Sequence, residues 1–487
     1  MSFFGHPRAL STLFFTEMWE RFTFYGMRAL LVLFLVDAVT KGGFGLDDKT
    51  ATAIYGLYTA AVFMAALPGG WIADRLIGAQ RAVVAGGVLM TIGNGLLVVP
   101  GSPALFFTGL IVIILGVGLL KPNVSALVAQ LYPEGGARRD AGFTIFYMGI
   151  NLGAFIGPLI AGYLAQHFGW RWGFLAAAIA VPLGTLQFWL SRERLAGAGA
   201  NPHRSDGGRG LAGDWRRLGI VAGVVLLGLG LCLTGVIPVD PAPLARRAAW
   251  VLVAMAAGYF TFLFFFAGLD PAERRRVVVL LSMFVACALF WAGYEQAGSS
   301  LNLFAKRFVD RTVGGFEIPA GWLQSVPPLF VIVFAPLFSM LWVGLARRML
   351  DPAVPVKFGV ALILMGSGFL FMVHAAGIVA AGFQSPVQWL VLTYMIHVFG
   401  ELCLSPVGLS TVTKLAPARF VGQMMGVWFL ASSLGKLLAG LIAGTFDAGD
   451  VAAMPDRFMG IVWYGVIVGL VLLLLARPLT RLMGGVR

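Results

Sequence analysis

Long apolar runs, separated by short breaks that hold most of the charge, follow one another almost from end to end of this chain, and few folds accommodate that spacing. A hydrocarbon core about 30 Å thick needs about 20 mostly apolar residues per spanning helix. Runs of that kind lie at 11–38, 50–74, 81–100, 103–130, 140–166, 171–190, 216–237, 247–268, 277–305, 319–346, 355–380, 386–413, 419–446 and 457–477. They predict fourteen spanning helices and an all-α polytopic membrane protein. Only 12% of residues are charged, against about 25% in a soluble globular chain. The runs are continuous rather than alternating, which excludes a membrane β-barrel. The 64 glycines suit close helix packing in lipid.

The net charge of +13 points to membrane orientation rather than to nucleic acid. Basic residues collect in every second break: Arg75/Arg81, Arg138/Arg139, Arg192 to Arg217, Arg274 to Arg276, Arg347/Arg348 and Lys414/Arg419. The opposite breaks are poorer in Lys and Arg, apart from Arg246/Arg247 and Lys306/Arg307/Arg311. Lys- and Arg-rich loops stay inside, so both termini are expected in the cytoplasm of a cell (inner) membrane. Met1 to Leu10 carries one Arg and leads straight into a span with Glu17, Glu20 and Arg21, unlike a cleavable signal peptide. Cys232, Cys287 and Cys403 lie inside apolar runs and read as packing residues, with no metal-binding spacing.

Ser191 to Gly213, rich in Gly and Ala, reads as a flexible cytoplasmic linker. Spans 7 and 8 beyond it hold almost nothing polar at mid-depth and offer little to a substrate path. They read as a pair inserted between two six-helix halves, giving 1–190, a linker with two extra helices at 191–276, and 277–487. Intramembrane charges echo between the halves. Arg28 and Glu295 fall in their first helices, Lys121 and Glu401 in their fourth, where an L-x-P-x pattern recurs at Pro122 and Pro406. Parallel six-helix repeats with a site between them describe the major facilitator architecture.

A charge at membrane depth costs at least about 2.5–3.5 kcal/mol on insertion scales, so each is a functional candidate. In the first span, Glu17, Glu20, Arg21, Phe24, Tyr25 and Arg28 recur at three- and four-residue steps and share one helix face. At 1.5 Å per residue, Arg28 sits roughly mid-membrane and Glu17 roughly 16 Å nearer the cytoplasm. Snorkelling at the interface accounts for Glu17 to Arg21 but not for Arg28. Lys121, Glu295 and Glu401 lie within roughly two turns of their span centres. With Arg28 they make two cations and two anions. They act either as fixed ties between helices or as pairs that break and reform with a proton on a glutamate.

E-M-W-E-R-F-T-F-Y-G (17–26) resembles the E-x-x-E-R-F-x-Y-Y-G signature of the proton-dependent oligopeptide transporter (POT) family, a branch of the major facilitator superfamily. G-L-L-K-P-N-V-S (118–125), F-W-A-G-Y-E-Q-A-G-S (290–299) and G-E-L-C-L-S-P-V-G-L-S (400–410) resemble three further segments in the same order. G-G-W-I-A-D-R-L-I-G-A-Q-R (69–81) resembles the cytoplasmic loop motif of the superfamily, with Asp74 and Arg75 tying helix ends. The resemblance implies a proton-coupled importer of di- and tripeptides that works by alternating access, not an enzyme. No cofactor is implied beyond the proton gradient, and the chain is expected to be monomeric in the bilayer.

The resemblance also assigns roles. Glu17, Glu20, Arg21, Lys121 and Glu295 match the proton-coupling set. Arg28 and Lys121 match cations for the peptide carboxylate, Glu401 the acid for its amino terminus, and Asn151 a polar group near its backbone. Glu295 matches a gating acid paired with Arg28. Tyr25, Trp291 and Trp428 match pocket aromatics, and Ser405 joins the substrate set. Three positions depart from the family pattern: Phe24 and Phe63 stand where tyrosine is usual, and Pro327 where many members carry Asn. Fewer donors and acceptors imply a weaker grip on the peptide backbone. The alternative reading is a proton-coupled carrier of nitrate or another small anion, which Glu401 would repel.

Overall fold

The computed structural model describes residues 3–132, 136–202, 210–446 and 449–484. The first part of the chain folds into α1 (Arg8–Val36), α2 (Asp48–Ile72), α3 (Ala79–Leu97), α4 (Pro103–Gln130), α5 (Gly136–Phe168), α6 (Trp170–Ser191) and α7 (Leu211–Leu233). The second part folds into α8 (Pro241–Phe265), α9 (Pro271–Tyr294), α10 (Ser300–Phe308), α11 (Val326–Arg347), α12 (Val354–Ala380), α13 (Gln388–Leu415), α14 (Val421–Ala443), α15 (Met454–Leu474) and the short α16 (Ala476–Leu482). Each of the fourteen expected spans is helical. Among the described residues, twelve are long and apolar enough to cross a membrane. The other two are α1, which carries Glu17, Glu20, Arg21 and Arg28, and α3, with Gln80, Arg81 and Asn94. The pattern is that of a multi-pass membrane protein, with strands limited among the described residues to two short pairs.

Local signals set several helix starts. Asp270 caps α9 through Glu273 N–H while the Glu273 side chain reaches back to Asp270 N–H, and Pro271 occupies the first turn. Asp47 leads into α2, accepting from Thr50 N–H at 2.9 Å and from Thr50 Oγ1 at 2.7 Å. Those bonds hold its carboxyl below the usual carboxylate range. A depressed carboxylate stabilises the fold above its unfolded value, and that contribution is lost as the pH falls through the folded value. Asp47→Ala is therefore expected to cost about 1 kcal/mol near neutrality and progressively less in acid, read as thermal unfolding in detergent at several pH values.

The ninth span is not the continuous helix predicted over 277–305. It breaks after Tyr294 into a 3₁₀ turn, Glu295–Gly298, before resuming as α10. The flexible linker also needs correction. Arg192–Leu195 is a 3₁₀ turn, and the Gln80 amide and backbone N–H donate to Ala198 O and Gly199 O at 2.7 and 3.0 Å. Residues 203–209 of that linker lie outside the described set.

The chain divides into two compact units: 1–45 with 61–240, and 46–60 with 241–487. The N-terminal half of α2 thus belongs to the second unit, as does α8, while α7 belongs to the first. Within the first unit, α1 packs on α5 and α6, and α3 on α4. The α1–α5 crossing is close because α5 presents Gly149, Gly153 and Gly157 at four-residue steps. A Cβ at Gly153 would lie 2.2 Å from Met18 O, and one at Gly157 2.2 Å from Phe22 O. This contact holds the charged face of α1 in place. Gly153→Val is expected to destabilise by about 1–3 kcal/mol, whereas Gly219→Val on α7, where nothing lies within 4 Å, leaves the midpoint unchanged. Equal shifts in the two would refute the packing role.

Within the second unit, α12 packs on α13 and α15, and α9 on α14. The inserted helices differ in their company. α8 packs on α14 and α9, with Tyr259 Oη donating to Gln423 at 3.1 Å. In α7, Asp214 of the first turn is buried, but none of the apolar stretch that follows is.

Candidate functional site

The helical spacing of α1 does gather its charges. Arg21 Nε lies 3.3 Å from Glu17 Oε1 and hydrogen-bonds Glu20 Oε2. All three residues are at most 4% exposed. Each still has an atom without a hydrogen-bond partner among the described residues: Glu17 Oε2, Glu20 Oε1 and Arg21 Nη2. Buried polar atoms are nearly always paired, so three such atoms in one cluster make it a candidate site. Lys121 enters from α4, near enough for its charge to act on Glu17. Two acids and two cations therefore meet in the first unit.

The two missing hydroxyls leave aromatic faces that carry cations. Arg21 lies 5.2 Å from the Phe24 ring centroid and Lys121 4.2 Å from that of Phe63. Loss of a phenol removes a donor but keeps the cation–π contact. Arg28, 6% exposed, lies 5.4 Å from the Tyr25 ring. Asn151 is buried and donates to Tyr147 O at 3.0 Å within α5. Just beyond α2, Arg75 lies 3.8 Å from Asp214 of α7. Asp74 is exposed beside it.

The second unit holds a different arrangement. Glu295 closes α9 where the helix breaks and is 2% exposed. Lys436 Nζ of α14 donates to Glu295 Oε1, and Tyr55 Oη to Oε2 at 3.3 Å. Lys436 also lies 4.8 Å from the Trp291 ring. Glu401 accepts from Tyr294 Oη at 2.5 Å. Trp291 and Tyr294 meet edge to face at 5.3 Å. Trp428 packs on Phe358 at 6.1 Å and against Gly408. Ser405 Oγ is buried with no hydrogen-bond partner among the described residues. Pro327 is buried in the first turn of α11. His374 packs edge-on against Trp389 at 4.6 Å, and buried His397 against Phe369 at 4.7 Å.

Sequence reasoning missed Lys436. The criterion that found Lys121 would have found it, a lone cation in an apolar run, S-S-L-G-K-L-L. Its presence changes the balance of two cations against two anions. Arg28 belongs to the first unit and Glu295 to the second, where Glu295 already has a cation beside it.

The POT family model matches residues 80–201 and 250–462. The chain is 42% identical to the peptide transporter YePEPT of Yersinia enterocolitica, over 99% of this chain and 96% of that one. It is 37% identical to a di-/tripeptide transporter of Lactococcus lactis, over 100% of this chain and 98% of the other. A crystal structure of a mutant of the peptide transporter POT with alafosfalin superposes with a TM-score of 0.90 at 39% identity, covering 100% of this chain and 97% of that one.

Proposed function

The chain belongs to the POT family, and on that premise we propose that it is a proton-coupled symporter importing di- and tripeptides by alternating access. The observation that carries the reading is the cluster of buried Glu17, Glu20 and Arg21 with half-buried Lys121, in which Glu17 Oε2 and Glu20 Oε1 have no hydrogen-bond partner among the described residues. A carboxylate that can take up a proton in a dry site is what coupling requires. Arg28 and Lys121 supply charge for a peptide carboxylate, and Glu401 with Tyr294 supplies it for the amino terminus. Asn151, Ser405, Tyr25, Trp291 and Trp428 complete the substrate set. A zwitterionic dipeptide is neutral, so the membrane potential acts on the proton alone. One charge across 100 mV is worth about 2.3 kcal/mol and one pH unit about 1.4 more. Together they support accumulation on the order of several hundredfold per proton.

In this reading the protein is a monomer in the cell membrane with both termini cytoplasmic, and the proton gradient is its energy source. The halves 1–190 and 277–487 move against each other, with 191–276 as an addition. Nitrate transport has no comparable support, since the relatives named above carry peptide names and Glu401 is an acid. Calorimetry on purified protein separates the two. Dialanine is expected to bind and nitrate not to compete. Displacement of dialanine by nitrate at similar concentration would favour the anion reading.

A further inference from the structure

We propose that Lys436 is the resident counter-cation of Glu295, and that making and breaking this pair is a proton-driven step of the transport cycle. The inference rests on the transport reading above and adds a coupling residue to it. Lys436 is 5% exposed and Glu295 2%, and their heads are joined inside the second unit. The approach is built into the backbone. Gly435 lets α14 come so near α9 that a Cβ there would lie 2.6 Å from Ala288 O and from Trp291 Cβ. That contact sets the next residue, Lys436, over Trp291 and against Glu295.

Glu295 itself sits at a point of the chain that can move. It ends α9, and Glu295–Gly298 forms a 3₁₀ turn before α10 resumes. Mid-helix 3₁₀ turns often mark hinges. Hydrogen bonds anchor the turn on the far side: Gln296 Nε2 donates to Ala439 O of α14, and Gln324 Nε2 to Ala297 O. A proton arriving on Glu295 Oε1 takes the lone pair that Lys436 uses, and Lys436 keeps its own proton. The site passes from neutral to singly positive. The ionic tie between α14 and the break is lost, leaving the weaker bonds to hold the hinge. Loss of the proton restores it.

Tyr55 Oη of α2 donates to the other oxygen, Glu295 Oε2, at 3.3 Å, a bond that a proton on Oε1 leaves in place. The remaining titratable groups on the packed elements are engaged separately. Cys287 Sγ faces Ser432 at 4.0 Å, Tyr464 Oη donates to Leu289 O, and Tyr294 on α9 is bonded to Glu401 on α13. His397 of α13 is packed on Phe369.

The test uses the full chain in proteoliposomes, with labelled dialanine followed in two assays: uptake under an inward proton gradient, and counterflow exchange without one across a pH series. Lys436→Gln is expected to lose driven accumulation by about a hundredfold or more, to keep exchange, and to flatten its pH profile as Glu295→Gln does. Lys436→Arg is expected to recover driven uptake. Glu295→Gln and the double variant Glu295→Gln with Lys436→Gln are expected to behave alike. If Lys436→Gln does not fold, the comparison of those two carries the decision, because neither buries a lone carboxylate. Accumulation by a folded Lys436→Gln protein at the wild-type level overturns the assignment, as does a double variant that loses exchange which Glu295→Gln retains. Wild type that neither accumulates nor exchanges dialanine overturns the peptide reading and the assignment with it.

Discussion

Lys121→Ala is expected to abolish proton-driven accumulation while leaving peptide exchange measurable. In the first unit buried Glu17 and Glu20 face buried Arg21 and half-buried Lys121, so the four charges cancel. Removing Lys121 leaves one buried charge uncompensated, at a cost of about 3–5 kcal/mol. That is comparable to what one proton delivers, about 3.7 kcal/mol from potential and one pH unit together. Exchange at equal pH needs no net proton movement, so it is expected to persist at weakened affinity, with Arg28 left to meet the peptide carboxylate. The expected readout is a fall from accumulation on the order of several hundredfold to simple equilibration. Wild-type accumulation by Lys121→Ala would contradict the coupling role. Phe63 gives a control at the same position, since its ring carries the Lys121 cation at 4.2 Å. Phe63→Leu removes only that contact and is expected to weaken transport by no more than about tenfold.

The second large effect is expected at Glu401. Its carboxylate is bonded to Tyr294, which packs with Trp291 and stacks on Phe290 at 5.7 Å, so it is held rather than free to swing. A peptide ammonium arriving there gains a charge-assisted pair, and truncating one partner of such a buried pair costs about 2–5 kcal/mol. Glu401→Gln is therefore expected to weaken dialanine binding by tens-fold or more. N-acetylated dialanine lacks the ammonium, so its weak binding is expected to be the same for both proteins. Calorimetry with the two ligands separates the cases. An equal loss for both would mean that Glu401 shapes the site without meeting the amino terminus.

The amphipathic logic of α1 was readable at once, because three- and four-residue spacing puts Glu17, Glu20 and Arg21 on one face and no other geometry competes. Helix positions followed equally well, since hydropathy alone decides them in lipid. The break at Glu295–Gly298 was hidden because the polar stretch from Glu295 to Ser300 sits inside an otherwise apolar run long enough to span, and what holds the turn is long-range: Gln296 to Ala439 and Gln324 to Ala297. The docking of 195–200 on Gln80 was hidden for the same reason. A Gly- and Ala-rich segment reads as flexible until the backbone acceptors at Ala198 and Gly199 find a donor 118 residues away at Gln80. The ionic partner of Glu295 carries a plain sequence signal, a lone lysine in the apolar run S-S-L-G-K-L-L, but nothing local pairs it with a residue 141 positions away. The different company of α7 and α8 follows from packing that their similar, featureless sequences do not encode in any local pattern.

The central claim, that a proton gradient drives peptide uptake, is tested most directly by labelled dialanine in proteoliposomes holding the purified chain, with and without an imposed inward proton gradient. The account predicts accumulation above the external concentration that collapses on adding a protonophore. Uptake that merely equilibrates, or that is indifferent to the gradient and the protonophore, would contradict it.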